Sequence, residues 1–211
     1  VSNGGKMLNL LNKRNTIHFE LPVHSKNFLT MPFTAKKLNK IILDNNINIV
    51  HLRSRAPAWI LKFVRKKTFK LVSTFHNVYG SENFLKKHYN KALGQADYIV
   101  AISEFVKLKI IDTYKINEKK ITVINRGIDT NFLNPEINDE GKFAEFILKF
   151  NIPNNKKIIL FPGRLTQWKG QIKFLNIIES YKDEQIIFYF IGDDKNLSYY
   201  SKLIKEIKKR N

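Results

Sequence analysis

Three polar runs in this chain carry residue types suited to chemistry, and each leaves a short apolar stretch. The first is Ser73-Thr74-Phe75-His76-Asn77-Val78-Tyr79-Gly80. A histidine at a strand end can donate to a sugar hydroxyl or hold developing charge near neutral pH; a loop histidine with no task fits the same spacing. The second is Phe161-Pro162-Gly163-Arg164-Leu165-Thr166-Gln167-Trp168-Lys169-Gly170-Gln171. Gly163 lets the backbone turn sharply, and Arg164 and Lys169 set two cations beside the start of a helix. A guanidinium fork, a point charge and free N–H groups are the parts of a diphosphate site that needs no P-loop. Two solvated cations flanking a turn are the alternative in so basic a chain. The third run is Asn125-Arg126-Gly127-Ile128-Asp129. Gly127 suits a tight turn, Arg126 and Asp129 are placed to pair, and the spacing alone favours a structural role.

The elements that must hold these runs alternate along the chain. Residues 47–51, 69–74, 98–102, 121–124, 157–161 and 186–191 are short, apolar and rich in β-branched or aromatic side chains, as strands buried on both faces should be. Helical spacing fills the gaps. Residues 35–43 put Leu38, Ile41 and Ile42 on one face, and residues 104–114 do so with Phe105, Leu108 and Ile111. Ser103 and Thr166 are positioned to cap the helices that follow them. Strands separated by helices of this length predict βαβ units and parallel sheets, hence an α/β fold, whose ligands bind outside the carboxyl ends of the strands. The break between domains is expected within residues 133–156, which hold Asn134-Pro135, Asp139-Glu140-Gly141, one helix over Phe143–Phe150 and the turn Ile152-Pro153-Asn154-Asn155.

Composition excludes several classes. There are no cysteines among the 211 residues, which removes disulfides, thiolate zinc sites, iron–sulfur clusters and a cysteine nucleophile. No apolar run approaches the roughly 20 residues of a membrane-spanning helix and no signal peptide opens the chain, so the expected setting is the cytoplasm. No histidine pair has metal-ligand spacing, G-x-G-x-x-G and G-x-S-x-G are absent, and Gly192-Asp193-Asp194 precedes a helix-like stretch rather than a hairpin strand. The 37 Lys+Arg against 18 Asp+Glu give a formal charge of +19, a field that attracts nucleic acid, an acidic membrane face or phosphorylated small molecules. A generally lysine-rich composition explains the same number. Residues 57–67, apolar and then basic through Arg65-Lys66-Lys67, read better as a buried crossover helix than as a membrane-surface one.

Taken in order, the motifs resemble the retaining glycosyltransferases of the GT-B fold, in the large group that includes bacterial lipopolysaccharide and mannosyl transferases. The resemblance rests on His51-Leu52-Arg53-Ser54-Arg55-Ala56-Pro57-Ala58-Trp59, Thr74 to Gly80, Leu85-Lys86-Lys87-His88-Tyr89-Asn90, Val123 to Asp129, Pro162 to Gln171 and Ile191-Gly192-Asp193-Asp194. It implies two Rossmann-like domains with parallel sheets: residues 1–134 as the acceptor-side domain and 135–211 as the start of the sugar-nucleotide domain. Gly163, Arg164 and Lys169 match the positions that grip the donor diphosphate and stabilise it as leaving group. His76 matches the histidine that reaches the transferred sugar, and Asn77, Ser103, Arg126 and Asp129 fall at the cleft. The resemblance further implies a UDP- or GDP-sugar donor, no cofactor or metal, a glycan or lipid-linked acceptor, and a role in envelope polysaccharide or lipopolysaccharide assembly at the inner face of the cytoplasmic membrane, where a basic surface suits anionic lipid.

The chain departs from that pattern at both ends. The family's pair of donor-binding glutamates does not appear before Asn211, and Val1-Ser2-Asn3-Gly4-Gly5-Lys6-Met7-Leu8 resembles the end of the family's second strand rather than its first glycine loop. Both domains are therefore expected to be incomplete, and the piece alone to be inactive. A basic nucleic-acid-binding protein and a non-catalytic remnant are the competing readings. The first lacks interleaved basic and aromatic residues, so no nucleic-acid partner is expected.

Overall fold

A computed structural model describes residues 1–5, 8–12, 16–64, 68–80, 83–134, 136–137, 139–181 and 185–210. The chain divides into two compact units, Val1–Asp129 and Thr130–Asn211. Both are α/β with parallel strands, as the alternation of apolar runs and helical spacing predicts.

In the first unit the elements run α1 (Leu8–Asn12), α2 (Met31–Asp44), β1 (Ile49–Leu52), α3 (Arg55–Ile60), β2 (Lys70–Phe75), α4 (Phe84–Lys91), β3 (Tyr98–Ala101), α5 (Glu104–Tyr114) and β4 (Ile121–Val123). The four strands lie side by side in sequence order. Every pairing is parallel, with Leu52 opposite Ser73, Phe75 opposite Ala101 and Ala101 opposite Val123. Parallel neighbours need crossovers, and α3, α4 and α5 supply them. The core gathers Met31, Ala35, Leu38 and Ile42 of α2 with Leu52, Phe75, Ile99 and Ala101 of the sheet and Ile60, Leu93 and Ile110 of the crossovers.

The face that α5 buries differs from the expected one. Val106, Ile110 and Tyr114 are at 5%, 1% and 2% exposure, whereas Phe105 and Leu108 are 64% and 63% exposed. Both sets are apolar and both have helical spacing, so the sheet underneath decides which one packs. Ser103 does cap this helix, its hydroxyl accepting from the Val106 N–H at 3.3 Å. The stretch expected as one helix over residues 57–67 is α3 followed by a 3-10 turn, Leu61–Phe63, and the backbone is extended at Val64. Ala58 and Ile60 of α3 are buried, and Lys62 places its Nζ 3.6 Å from the Trp59 ring centroid. The Arg65-Lys66-Lys67 end of that stretch, like Pro135, Lys6 and Met7, lies outside the described residues.

The second unit holds α6 (Glu140–Lys149), β5 (Lys157–Pro162), α7 (Gln171–Ser180), β6 (Ile186–Ile191) and α8 (Leu197–Lys208). Asp139 caps α6, accepting from the Lys142 N–H at 3.1 Å. β5 and β6 pair in parallel from Lys157–Ile186 to Pro162–Ile191. Alternation gives the pair two apolar faces. On one, Phe174 of α7 meets Phe161, Phe188 and Phe190 with centroids 5.0, 6.0 and 6.3 Å away. On the other, Ile158, Leu160, Tyr189 and Ile191 join Phe143 and Phe146 of α6 around a cavity of about 370 Å³. β5 is not buried on both faces as expected: Ile158 and Leu160 are 44% and 52% exposed.

The assignment of the α5 face has a direct consequence for stability. Ile110→Ala should destabilise the first unit by about 2–5 kcal/mol, and Leu108→Ala should stay within about 0.5 kcal/mol of the parent. Urea unfolding of the two variants checks this, and equal losses would contradict the burial.

Candidate functional site

Parallel pairing in register brings the carboxyl ends of β1 to β4 to one edge of the sheet. The residues that follow them inherit that placement: Arg53 after β1, His76 after β2, Ser103 after β3 and Arg126 after β4. Arg53, His76, Arg126 and Gly127 line one open recess of about 490 Å³. The Arg53 Nε–H donates to His76 Nε2 at 3.3 Å. Arg126 Nη2 lies 3.4 Å from His76 Nδ1 and donates to the His76 carbonyl at 3.3 Å. Behind them His51 Nε2 and Thr74 Oγ1 are hydrogen-bonded at 2.7 Å.

The His76 ring is therefore flanked by groups that can only donate. A neutral imidazole offers one lone pair, and an imidazolium offers none. Burial of the ring, then the charges of Arg53, Arg126 and His51, hold the His76 pKa below its ordinary 6.5. Burial and the Arg53 charge do the same to His51. Neutral His76 is consequently the form present through the physiological range, with one N–H to offer and one lone pair to receive.

The backbone that presents His76 is fastened from below. Asn90 is fully buried; it accepts from Arg55 Nη1 at 2.7 Å and donates through Nδ2 to the Gly80 carbonyl at 2.6 Å. Arg55 also stands 4.2 Å over the Tyr79 ring, and the Tyr114 hydroxyl donates to the Tyr79 carbonyl at 3.1 Å. The loop after β2 is thus tied to α3, α4 and α5 within four residues of the histidine.

In the second unit the same strand-end logic builds a turn. The Gly163 N–H donates to the Ile191 carbonyl at 2.7 Å and the Leu165 N–H to the Asp193 carbonyl at 3.0 Å. The approach is so close that a β-carbon on Gly192 would run into the Gly163 carbonyl, and Gly163 itself is at φ +156°. Gln171, fully buried at the start of α7, donates to the Arg164 carbonyl at 3.0 Å and accepts from the Tyr199 hydroxyl at 3.2 Å. Arg164 lines a recess of about 310 Å³ with Thr166, Asp193, Lys195 and Asn196. The Lys195 backbone N–H, followed by the Lys195 and Arg164 charges, keeps the Asp193 carboxyl below the usual carboxylate range. Lys169 runs along Gly163, with its Nζ 4.5 Å from the Trp168 ring centroid. Thr166 makes no side-chain cap; its hydroxyl reaches the Arg164 carbonyl at 3.5 Å, and Gly170, at φ +85°, occupies the N-cap of α7.

The expected residues thus fall into separate groups. His76 and Arg126 share a recess; Gly163, Arg164 and Lys169 share a turn. Asn77 accepts from the neighbouring Val78 N–H at 2.8 Å, Ser103 is spent on its helix cap, and neither these two nor Asp129 line the recess around His76. Arg53, Asn90 and Gln171 had no assigned role. Arg53 was findable, because it stands one residue past a strand end just as His76 does. Among the described residues no group of three or more His, Asp or Glu side chains is placed to hold a metal ion, and no helix is long and apolar enough to cross a membrane.

Parallel α/β units with polar groups gathered past their strand ends define a Rossmann-like protein, a class whose ligands bind at that edge. Within that class the chain belongs to glycosyltransferase family 4, whose family model matches residues 7–132. It is 30% identical over 197 residues to an uncharacterized glycosyltransferase of Methanocaldococcus jannaschii, covering 84% of this chain and 47% of that protein. A glycosyltransferase structure from Rickettsia africae matches at TM-score 0.82 and 33% identity, covering 98% of this chain and 55% of that one. Anabaena HepE, solved with UDP and glucose, matches at TM-score 0.75 and 16% identity over 98% of this chain and 56% of its own, a likeness of fold. The chain spans about half the length of the curated relatives it matches.

The electrostatics of the histidine are open to a direct check. Arg53→Ala should raise the His76 pKa toward 6.5, because it removes a cation that opposes protonation, and Arg126→Ala should do so to a smaller extent. Imidazole NMR titration reads both values; an unchanged or lowered pKa in Arg53→Ala would contradict the geometry.

Proposed function

We propose that this chain is part of a glycosyltransferase that moves a sugar from a nucleoside diphosphate donor to a hydroxyl of a glycan or lipid-linked acceptor, with the anomeric configuration retained. The observation that carries this reading is the turn at Gly163. Gly192, with no room for a side chain, and Gly163, at φ +156°, bring the ends of β5 and β6 together, and Gln171 fixes the Arg164 backbone. The cations at Arg164 and Lys169 then flank a turn whose shape is set before any ligand arrives.

In this reading the bond from the sugar's anomeric carbon to the diphosphate breaks and a bond to the acceptor oxygen forms. The leaving nucleoside diphosphate takes the electron pair, and its phosphate oxygen takes the proton released by the acceptor hydroxyl. Arg164 and Lys169 offset its growing charge, which is worth most where the cations are already in place. His76, held neutral, donates its N–H to a hydroxyl of the transferred sugar and adds no positive charge beside a carbon that is itself becoming positive. Residues 1–129 carry the acceptor side and residues 130–211 the donor side. Peripheral docking on an anionic membrane face belongs to the same proposal. It is supported by the aromatic run Phe28–Trp59–His88–Phe84, exposed at all but the half-buried Trp59, with ring centroids 5.5, 5.5 and 6.3 Å apart, beside Lys62 and the lysines of α4.

Calorimetry with UDP-glucose and GDP-mannose tests the donor site. Each charge-assisted contact is worth about 1.5–3 kcal/mol, so Arg164→Ala with Lys169→Ala should weaken binding of the preferred donor by roughly a hundredfold or more. Unaltered affinity in the double variant, or no binding of any nucleotide sugar by the parent chain, would overturn the assignment.

A further inference from the structure

We propose that the recess formed by Arg53, His76, Arg126 and Gly127 is a subsite for an oxyanion on the acceptor, a phosphate monoester or a sugar carboxylate, held between the two guanidiniums. The proposal rests on the glycosyl-transfer reading above and adds the chemical class of the acceptor.

Three observations carry it. First, the charges that act on His76 come from Arg53, Arg126 and His51, all of one sign, and no carboxylate is among the residues lining the recess. Two guanidiniums brought against one imidazole repel each other and the protonated ring, and a bound oxyanion reverses that balance. Second, the guanidiniums are not used up by the contacts they make. Arg53 engages His76 through Nε, and among the described residues its two terminal NH2 groups have no partner. Arg126 engages His76 through one terminal nitrogen, Nη2. The donors left over suit the paired oxygens of a carboxylate or phosphate, which a guanidinium grips in bidentate fashion. Third, the recess belongs to the first unit, to which the glycosyl-transfer reading assigns the acceptor, and that assignment makes the acceptor the source of the anion at Arg53 and Arg126.

The experiment follows the His76 ring resonances of the full chain on addition of glucose 6-phosphate, glucuronate and glucose. Glucose 6-phosphate or glucuronate should shift them in a saturable way and glucose should not; a response to only one of the two acids names the anion as phosphate or as carboxylate. Arg53→Gln and Arg126→Gln, both at exposed positions, should each weaken that binding by roughly tenfold or more. Arg164→Ala should leave it unchanged. No saturable shift with either acid would overturn the proposal. So would a shift produced by UDP and lost in Arg164→Ala, which would place the donor's own phosphates there. Either failure leaves the donor-site calorimetry unaffected, so the two readings stand or fall separately.

Discussion

Parallel strand pairing in register is the constraint on which everything else here depends. Because each strand runs the same way, every crossover returns the chain to the opposite end, and every strand delivers its next residue to one common edge. Leu52, Phe75, Ala101 and Val123 end their strands at that edge of the first unit, so Arg53, His76 and Arg126 come together although 73 positions separate the first from the last. In the second unit Pro162 and Ile191 end paired strands and deliver Gly163-Arg164 and Gly192-Asp193 in the same way. A slip of one residue would turn the core side chains of a strand to its other face and move these groups with them.

The two units answer different chemical demands from that shared plan. Around His76 the structure places cations where a base would otherwise charge, and so preserves a neutral ring. Around Gly163 it removes side chains altogether, and so lets two backbones touch and hold an arginine beside a turn. Fully buried polar residues fix each arrangement from behind: Asn90 under the loop at Gly80, and Gln171 under the carbonyl of Arg164. Buried amides of this kind cost stability if any partner is lost, which makes them effective fasteners for loops that must keep one shape.

Much of this was legible in the sequence, for physical reasons that also mark where legibility stops. The strands were readable because β-branched and aromatic runs bounded by turn residues have few other uses in a chain this size. Gly163, Arg164 and His76 were readable because they directly follow such runs. The face of α5 was not, since Phe105-Leu108-Ile111 and Val106-Ile110-Tyr114 are both apolar stripes and only the sheet beneath selects between them. Arg53 stands one residue past a strand end as His76 does, but among 37 cationic side chains that place carries little weight until register sets it against His76. Gln171 was hidden for the opposite reason, because a lone amide in a polar run announces nothing about burial.

The central claim is that the strand-end turn of the second unit receives a nucleoside diphosphate. Its most direct test is backbone amide NMR during titration with UDP-glucose and GDP-mannose. Saturable shifts are expected at Gly163, Leu165, Gly192 and Asp193 for one of the two donors, with the helices and strands away from that edge unmoved. Saturable shifts confined to other surfaces, or none at these four amides with either donor, would contradict it.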